Sequence, residues 1–330
     1  MLIDMPVKVS IIVPTYKRPA LLKRCMQALV SQDFPDNEYE IIIVTDGLDE
    51  ETNNMMTQSA FFDFFSNIFC YSLPFKKGPA AARNAGWRIA KGQLILFTDD
   101  DCIPASNWIR NFYNAFEFYG QAAIALTGKI IVPLSPEPTD FELNTANLET
   151  AEFVTANCAC TKASLELVNG FDEAFTMAWR EDSDLEFQFL KQEIPIKKIE
   201  EAIVVHPARK ASWGVSLKEQ RKSMFNALLF KKHPQLYKEK ISSPVLRTYF
   251  LMIIFLLTFF YEWSEQNKII AFVSLFAWAF LMISFILKRL TNTSRSFRHV
   301  SEMVATSLLI PFVSVFWNLY GAFKFKALGV

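Results

Sequence analysis

A chain of 330 residues with 34 basic and 34 acidic side chains, 51% hydrophobic residues and a mean hydropathy of +0.16 is long enough for one large domain or two small ones. Its balanced charge, with no basic stripe interleaved with aromatics, argues against nucleic acid as a partner, because holding a phosphate backbone needs a basic excess. Its five cysteines, Cys25, Cys70, Cys102, Cys158 and Cys160, are odd in number and lack the two-residue spacing of zinc or redox pairs, which points to reduced thiols.

The first ten residues carry Asp4 and Lys8 and no sustained apolar core, which is not a secretory-signal pattern, so the N-terminal part is expected to remain in the cytoplasm. Residues 9–13 form a short β-branched run ended by Pro14, which predicts a strand. Pro19 then opens a stretch with Leu21, Leu22, Met26, Leu29 and Val30 on one face, which predicts a helix. Residues 41–44, 69–73 and 94–97 read as further buried strands, with helical segments near 50–65 and 79–90 between them. Alternating strands and helices predict an α/β fold, a mostly parallel sheet flanked by helices, with ligands at the carboxyl ends of the strands. Thr15-Tyr16, Asp46-Gly47 and Asp99 to Asp101 all fall there.

The triplet Asp99, Asp100 and Asp101 directly follows the apolar run 94–97. Carboxylate oxygens are hard ligands suited to Mg²⁺ or Mn²⁺, ions that keep open positions for the phosphates of a nucleotide. Alternation along an extended chain sends Asp99 and Asp101 to one side and Asp100 to the other, so the useful unit is Asp99-x-Asp101. The same triplet also reads as a polar turn capping a helix that starts near Asn107.

Past residues 123–132 the chain becomes irregular, with Pro133, Pro136 and Pro138. A helical stretch at 164–168, a Gly170-Phe171-Asp172 turn and an acidic patch from Glu181 to Glu186 follow, expected to form the acceptor side. Ser216-x-x-Glu219 has the spacing of a capping box opening a helix toward His233. Lys231 and Lys232 sit at that helix's negative pole, and Pro234 stops it.

Three apolar segments, about 245–263, 269–287 and 304–323, each cover roughly the 30 Å of a bilayer core at 1.5 Å per residue. Glu302 and Pro311 interrupt the third. Lys288, Arg289, Arg295 and Arg298 crowd the second connection, whereas 262–268 carries one lysine against two glutamates. The positive-inside rule therefore places the second connection with the N-terminal domain in the cytoplasm. Three full spans leave Lys324 and Lys326 outside, against that rule, and a re-entrant or interfacial third helix relieves the conflict. The expected organisation is a domain at 1–240 followed by membrane helices at 241–330, in a multi-pass protein of the cytoplasmic (inner) membrane.

The pieces Val9-Ser-Ile-Ile-Val-Pro-Thr-Tyr16, Thr45-Asp46-Gly47, Gly78 with Ala82-Arg83-Asn84-x-Gly86, Thr98-Asp-Asp-Asp-Cys102, Gly170-Phe-Asp-Glu173 and Glu181-Asp182-x-Asp184-Leu185 are each weak. In this order and spacing they resemble the family-2 glycosyltransferases of the GT-A fold, membrane-attached bacterial members in particular. The resemblance runs from Val9 to about His233. It implies that Asp99-x-Asp101 corresponds to the family's D-x-D motif, with Asp101 a direct ligand of Mn²⁺ or Mg²⁺ and Asp99 contacting ribose or metal. Pro14, Thr15, Tyr16 and Asp46 are implied to line the nucleoside pocket, Tyr16 by stacking and Asp46 as acceptor for the base's imide. Arg83 is implied to reach the base or diphosphate, and Arg18 and Asp100 join the nucleotide-sugar contacts.

A leaving nucleoside diphosphate gathers negative charge that a divalent cation stabilises as a Lewis acid, while the attacking hydroxyl must lose a proton to a carboxylate on the other side of the sugar. Asp182, matching the second acid of the family's E-D motif, is the choice for that base and Glu181 the second choice. One displacement by a hydroxyl inverts the anomeric centre. Without the resemblance, these acids also read as complements to a helix N-terminus. His206, after the β-branched run 204–205, is a candidate to complete the metal shell or a hydrogen-bonded residue at a strand end. Trp213 lies on a loop beyond it, placed to close over the sugar or to pack against a membrane-facing helix.

Gln220-Arg-Lys-Ser-Met224 lacks the tryptophan and spacing of the Q-x-x-R-W signature of processive synthases. The expectation is transfer of single sugars, from UDP-sugars by preference, to a lipid-linked or glycan acceptor. The competing readings are a sugar-nucleotide pyrophosphorylase and a non-catalytic membrane subunit that binds a sugar nucleotide. The first needs a glycine-rich basic loop after the first strand, and residues 14–18 contain no glycine.

Overall fold

The structure, a computed structural model, describes residues 6–58, 65–241 and 245–327. The chain divides into two compact units, Met1–Pro133 with Ala146–Pro207, and Leu134–Thr145 with Ala208–Val330.

The first unit is built on an eight-stranded sheet of order β3-β2-β1-β4-β7-β6-β8-β5. Its strands are β1 (Val9–Thr15), β2 (Tyr39–Thr45), β3 (Ile68–Ser72), β4 (Leu94–Thr98), β5 (Ile103–Pro104), β6 (Ala125–Ile131), β7 (Asn157–Thr161) and β8 (Ile196–Val205). The helices are α1 (Pro19–Leu29), α2 (Glu50–Gln58), α3 (Pro79–Ile89), α4 (Trp108–Tyr119), α6 (Lys162–Val168) and α7 (Glu181–Lys191). Of the helix predicted near 50–65, α2 forms the first part, and residues 59–64 lie outside the described residues.

β1, β2 and β4 are buried along their whole length, so both faces must be apolar. The period of two divides them. Ile11, Val13, Ile41, Ile43, Leu94 and Leu96 face a core closed by Leu22 and Met26 of α1 and Trp108 and Phe112 of α4. Ile12, Ile42, Val44, Ile95 and Phe97 face the other core, against Trp87 of α3 and Leu185 and Phe189 of α7. At Gly86 of α3 an added Cβ would come within 2.5 Å of the Ile12 side chain, so only glycine lets this helix approach the sheet.

The sheet is parallel through β3, β2, β1 and β4, as alternation predicts, but mixed as a whole: β7 runs antiparallel to both β4 and β6, and β5 antiparallel to β8. A fully buried strand such as β7 carries no periodic mark of its direction, which only its pairing sets.

The second unit is helical, with α5 (Asp140–Ala146) beginning in its 134–145 segment, then α8 (Val215–Glu219), α9 (Met224–Lys232), α10 (Pro234–Lys240), α11 (Val245–Ser264), α12 (Lys268–Leu290) and α13 (Phe297–Lys324). Residues 208–240, counted by sequence with the N-terminal domain, fold here because α8 and α9 pack on α13. The expected capping box does not form. Gly214, at φ 77°, is the N-cap of α8, Ser216 lies within the helix, and Glu219 pairs with Lys222. The Gly214 N–H instead donates to the Glu302 carboxylate at 2.7 Å, so a tertiary acceptor replaces the local one. A 3-10 turn over Gln220–Ser223 then separates α8 from α9.

The helices α11, α12 and α13 are each long and apolar enough to cross a membrane. The third begins earlier than its apolar run, at Phe297, and continues through both Glu302 and Pro311.

Candidate active site

The parallel arrangement of β1, β2 and β4, with Thr15 opposite Thr45 and Ile12 opposite Phe97, brings their carboxyl ends to one edge. β4 ends at Thr98 and the three aspartates enter a turn in which the Cys102 N–H donates to the Asp99 carbonyl at 3.1 Å, so that turn, and not the alternation of an extended chain, sets their directions. Asp100 turns to β1: its carboxylate accepts from the Thr15 hydroxyl at 2.8 Å and from Arg18 Nη1 at 3.3 Å. Burial pushes its pKa up to about 6, against the pull of Arg18 and Thr15. Asp99 turns to α3, where Arg83 Nη2 donates to its Oδ1 at 2.7 Å.

Arg83 is 2% exposed, which a guanidinium tolerates only when its charge is matched. Its other arm, Nη1, donates to Glu181 Oε1 at 3.2 Å. One side chain on α3 thus ties the end of β4 to the first residue of α7. Glu181 is buried, and burial followed by the charge of Asp182 raises its pKa to about 7, with Arg83 opposing. Burial also raises the pKa of Asp182, whose Oδ1 accepts from the Ser183 N–H at 2.7 Å. Arg180 precedes them in the left-handed region at φ 73°, turning the chain into α7.

Asp101 meets a residue distant in sequence. β5 pairs with the end of β8, Ile103 opposite Val205, and this sets His206 Nε2 at 3.6 Å from Asp101 Oδ1. With the Cys102 thiol, their ligand atoms lie within 4.8 Å of one another. Burial pushes the Cys102 thiol well up, so it stays protonated and is a poor partner for a hard cation. Carboxylate and imidazole suit Mn²⁺, and the His206 Nδ1 is buried without a hydrogen-bond partner among the described residues. This donor set fits the implied metal with Asp101 and His206 as ligands.

The nucleoside-side candidates are placed differently from one another. Pro14 and Thr15 are buried in β1, and Arg18 leads into α1. The Asp46 carboxylate accepts from the backbone N–H of Lys77 at 2.7 Å and of Gly78 at 2.9 Å, so it holds the chain entering α3. Lys76 Nζ sits 3.8 Å from the centroid of the Tyr16 ring and occupies one face of it. Lys76 was not among the sequence candidates; its only mark was a lysine pair before Gly78-Pro79. Asp49 was also missed. It is buried, accepts from the Lys17 N–H and the Thr52 hydroxyl, and its pKa lies below the ordinary value because these hydrogen bonds outweigh burial. Trp213, 48% exposed, belongs to the second unit. All five cysteines are free.

The buried Glu181 has a testable consequence in metal-free protein. The unfolded chain ionises this group near 4.5 and the folded chain near 7, so between those values the folded state holds more protons and rising pH favours unfolding. Glu181→Gln removes the titration. At pH 8 in chelator and detergent it is expected to exceed the wild type in stability by on the order of 2 kcal/mol, with a smaller difference at pH 4. Urea midpoints check this, and equal midpoints at pH 8 count against a destabilising ionised Glu181.

Residues 10–139 match the family model described as glycosyl transferase family 2. The chain is 31% identical over 101 residues to a glycosyltransferase of Haloferax volcanii, AglE, covering 31% of this chain and 33% of that protein. It is 34% identical over 124 residues to the poly(ribitol-phosphate) beta-glucosyltransferase of Bacillus spizizenii, covering 37% of this chain and 19% of that protein. The chain thus spans a third or less of the length of these curated relatives. Among solved structures it resembles a mannosyltransferase of Pyrobaculum calidifontis, in complex with GDP-Man and Mn²⁺, at a TM-score of 0.54 and 15% identity, over 98% of this chain and 90% of the other. At that identity the likeness concerns the fold, which is of the GT-A type.

Proposed function

The chain belongs to the family-2 glycosyltransferases through its domain at residues 10–139, and from this premise we propose that it moves a single sugar from a nucleoside-diphosphate sugar, by preference a UDP-sugar, to a hydroxyl of a lipid-linked or glycan acceptor, with inversion. The observation that carries the reading is the Arg83 bridge: one buried guanidinium joins Asp99 at the end of β4 to Glu181 at the start of α7. It holds the carboxylates beside the donor diphosphate and those beside the acceptor in one framework, the pre-organisation that a displacement between two substrates requires.

Asp101 and His206 would hold Mn²⁺ or Mg²⁺, which supplies Lewis-acid stabilisation of the departing diphosphate. The remaining work belongs to the chain's own groups. Asp182 takes the proton of the acceptor hydroxyl, and its upward pKa shift brings it nearer the neutral range in which a carboxylate is an effective base. Asp100 locks the end of β4 to β1 through Thr15 and Arg18. Tyr16 offers a stacking surface for the base, and Lys76, now over that ring, is a cation within reach of the nucleotide's charge. The Bacillus spizizenii relative, named for a polyol-phosphate polymer, and the apolar helices of this chain support a glycan or lipid-linked acceptor. The direct test offers purified protein a panel of sugar nucleotides with Mn²⁺. A transferase consumes one of them, whereas protection against unfolding with no turnover on any acceptor favours a non-catalytic binding subunit.

The catalytic unit is placed at the cytoplasmic side, where sugar nucleotides are made. Support comes from the basic cluster around the α12–α13 connection: Lys288 and Arg289 at the end of α12, Arg295 in the connection and Arg298 at the start of α13. A reporter active only outside the membrane is expected to give signal when attached in residues 262–268 and none at Thr293. The reverse pattern would invert the topology and leave the enzyme without a donor supply.

A further inference from the structure

We propose that α13, despite its length and apolarity, does not cross the membrane but lies along the cytoplasmic lipid surface, so that the second unit spans the bilayer with the α11–α12 hairpin alone. The proposed occupant of its exposed face is the acyl–headgroup boundary of the bilayer.

The helix has two unlike sides. Val304, Leu308, Phe312, Phe316, Leu319 and Phe323 are exposed and recur in steps of three and four, so they form one apolar stripe along the helix. The buried side is mixed: Met303, Ile310, Pro311 and Val315 alternate there with the polar or small His299, Thr306, Ser307, Ser314, Asn318 and Gly321. A helix crossing lipid shows apolar groups to the bilayer and turns polar ones inward, so this pattern alone leaves the choice open; what covers the buried side decides it.

Residues 214–231 of the same unit, charged and polar over 218–223 and largely apolar over 224–230, accompany α13 from near its start to its end. The Gly214 N–H reaches Glu302 at 2.7 Å, and Arg221 lies over the Trp317 ring at 5.6 Å. Asn318 Nδ2 donates to the Ser223 hydroxyl at 3.1 Å, and Lys231 Nζ donates to the Phe325 carbonyl at 2.9 Å. The approach is close enough that a Cβ on Gly321 would come within 2.2 Å of the Met224 carbonyl oxygen. This segment carries Lys218, Glu219, Arg221 and Lys222, with Lys218 and Arg221 exposed, and a 3-10 turn over Gln220–Ser223. If α13 crossed the bilayer, these charges and that irregular backbone would pass through hydrocarbon beside it, where neither is hydrated. Laid flat, α13 sinks its apolar stripe roughly 5–10 Å into the lipid and leaves the charged segment on the aqueous side.

The contacts of α13 with the hairpin agree. Its Ile310 and Val315 meet Tyr249 and Met252 early in α11 and Met282 late in α12. Arg289, at the end of α12, donates to the Thr306 and Ser307 hydroxyls at 2.7 and 3.1 Å. Leu257, Phe260, Phe272 and Phe276, in the far half of the hairpin, stay exposed for lipid. α13 therefore crosses the hairpin at the end where α11 begins and α12 finishes. Lying there, it returns Lys324 and Lys326 to the side of Arg295 and Arg298, which satisfies the charge rule that three spans violate.

The test uses the full chain with one reporter active only outside the membrane and another fluorescent only inside, each fused at Thr293 and, separately, after Val330. Both positions are expected on one side, and opposite sides overturn the proposal. The comparison does not depend on which side the catalytic unit faces, so its failure is distinct from failure of the orientation above. A second measurement excludes a re-entrant helix. In a Cys70→Ser background, spin labels on cysteines replacing exposed Leu308, Phe312, Phe316 and Phe323 are expected at one shallow depth in vesicles containing anionic lipid. A profile that reaches the bilayer centre near Phe312 and rises at Phe323 overturns it.

Discussion

Asp101→Ala is expected to abolish sugar transfer, a fall of roughly 10³-fold or more, equivalent to about 4 kcal/mol of lost transition-state stabilisation. Asp101 is buried at the sheet edge, 3.6 Å from His206. Asp100 is held away by Thr15 and Arg18, and Asp99 is engaged by Arg83. The loss should therefore not be rescued by raising the metal concentration. Mn²⁺ and a nucleoside diphosphate together should raise the unfolding temperature of the wild type and leave that of the variant almost unchanged. Undiminished wild-type activity in excess chelator would sink the metal assignment altogether.

Asp182→Asn is expected to lower kcat by about 10² to 10⁴, the usual worth of a general base, with the donor KM nearly unchanged because the group acts on the acceptor hydroxyl alone. The sign of the pH dependence follows from burial. Burial favours the neutral carboxyl, so the ionised base accumulates only above the ordinary aspartate range, and activity of the wild type should rise with pH through that raised value. In Asp182→Asn this acidic limb should vanish along with most of the rate. Near-normal turnover in the variant moves the role to Glu181, whose pKa of about 7 would then place the limb closer to neutrality.

Much of the catalytic unit was legible one segment at a time. The apolar runs at 9–13, 41–44, 69–73 and 94–97 became parallel strands because an apolar run of that length between turn residues has few other places to go, but β3, expected to be buried, is an edge strand with Phe69 and Tyr71 exposed. Asp99 and Asp100 do turn to different partners, Arg83 and Thr15, but through a turn after Thr98 and not through the alternation of an extended chain. The three apolar helices were legible from length alone.

The rest depended on partners that no local pattern names. The direction of β7, and the β5–β8 pairing that carries His206 to Asp101, are matters of register between segments far apart in the chain. Arg83 reads in sequence as one polar position on an amphipathic helix; only its depth and the two carboxylates beside it make it a bridge. Ser216 had the spacing of a cap and lost the role because Glu302, distant in sequence, offers the Gly214 N–H an acceptor. The third apolar helix is the same case at larger scale. Hydropathy measures the side chains of α13, whereas its relation to the bilayer depends on the charged segment packed along it. The sequence by itself determined which residues must leave water and at what period they recur. The tertiary structure alone decided which charged and polar groups they leave it beside, because the energy of a buried charge is set by the distance to its partner, a quantity that exists only once the chain has folded.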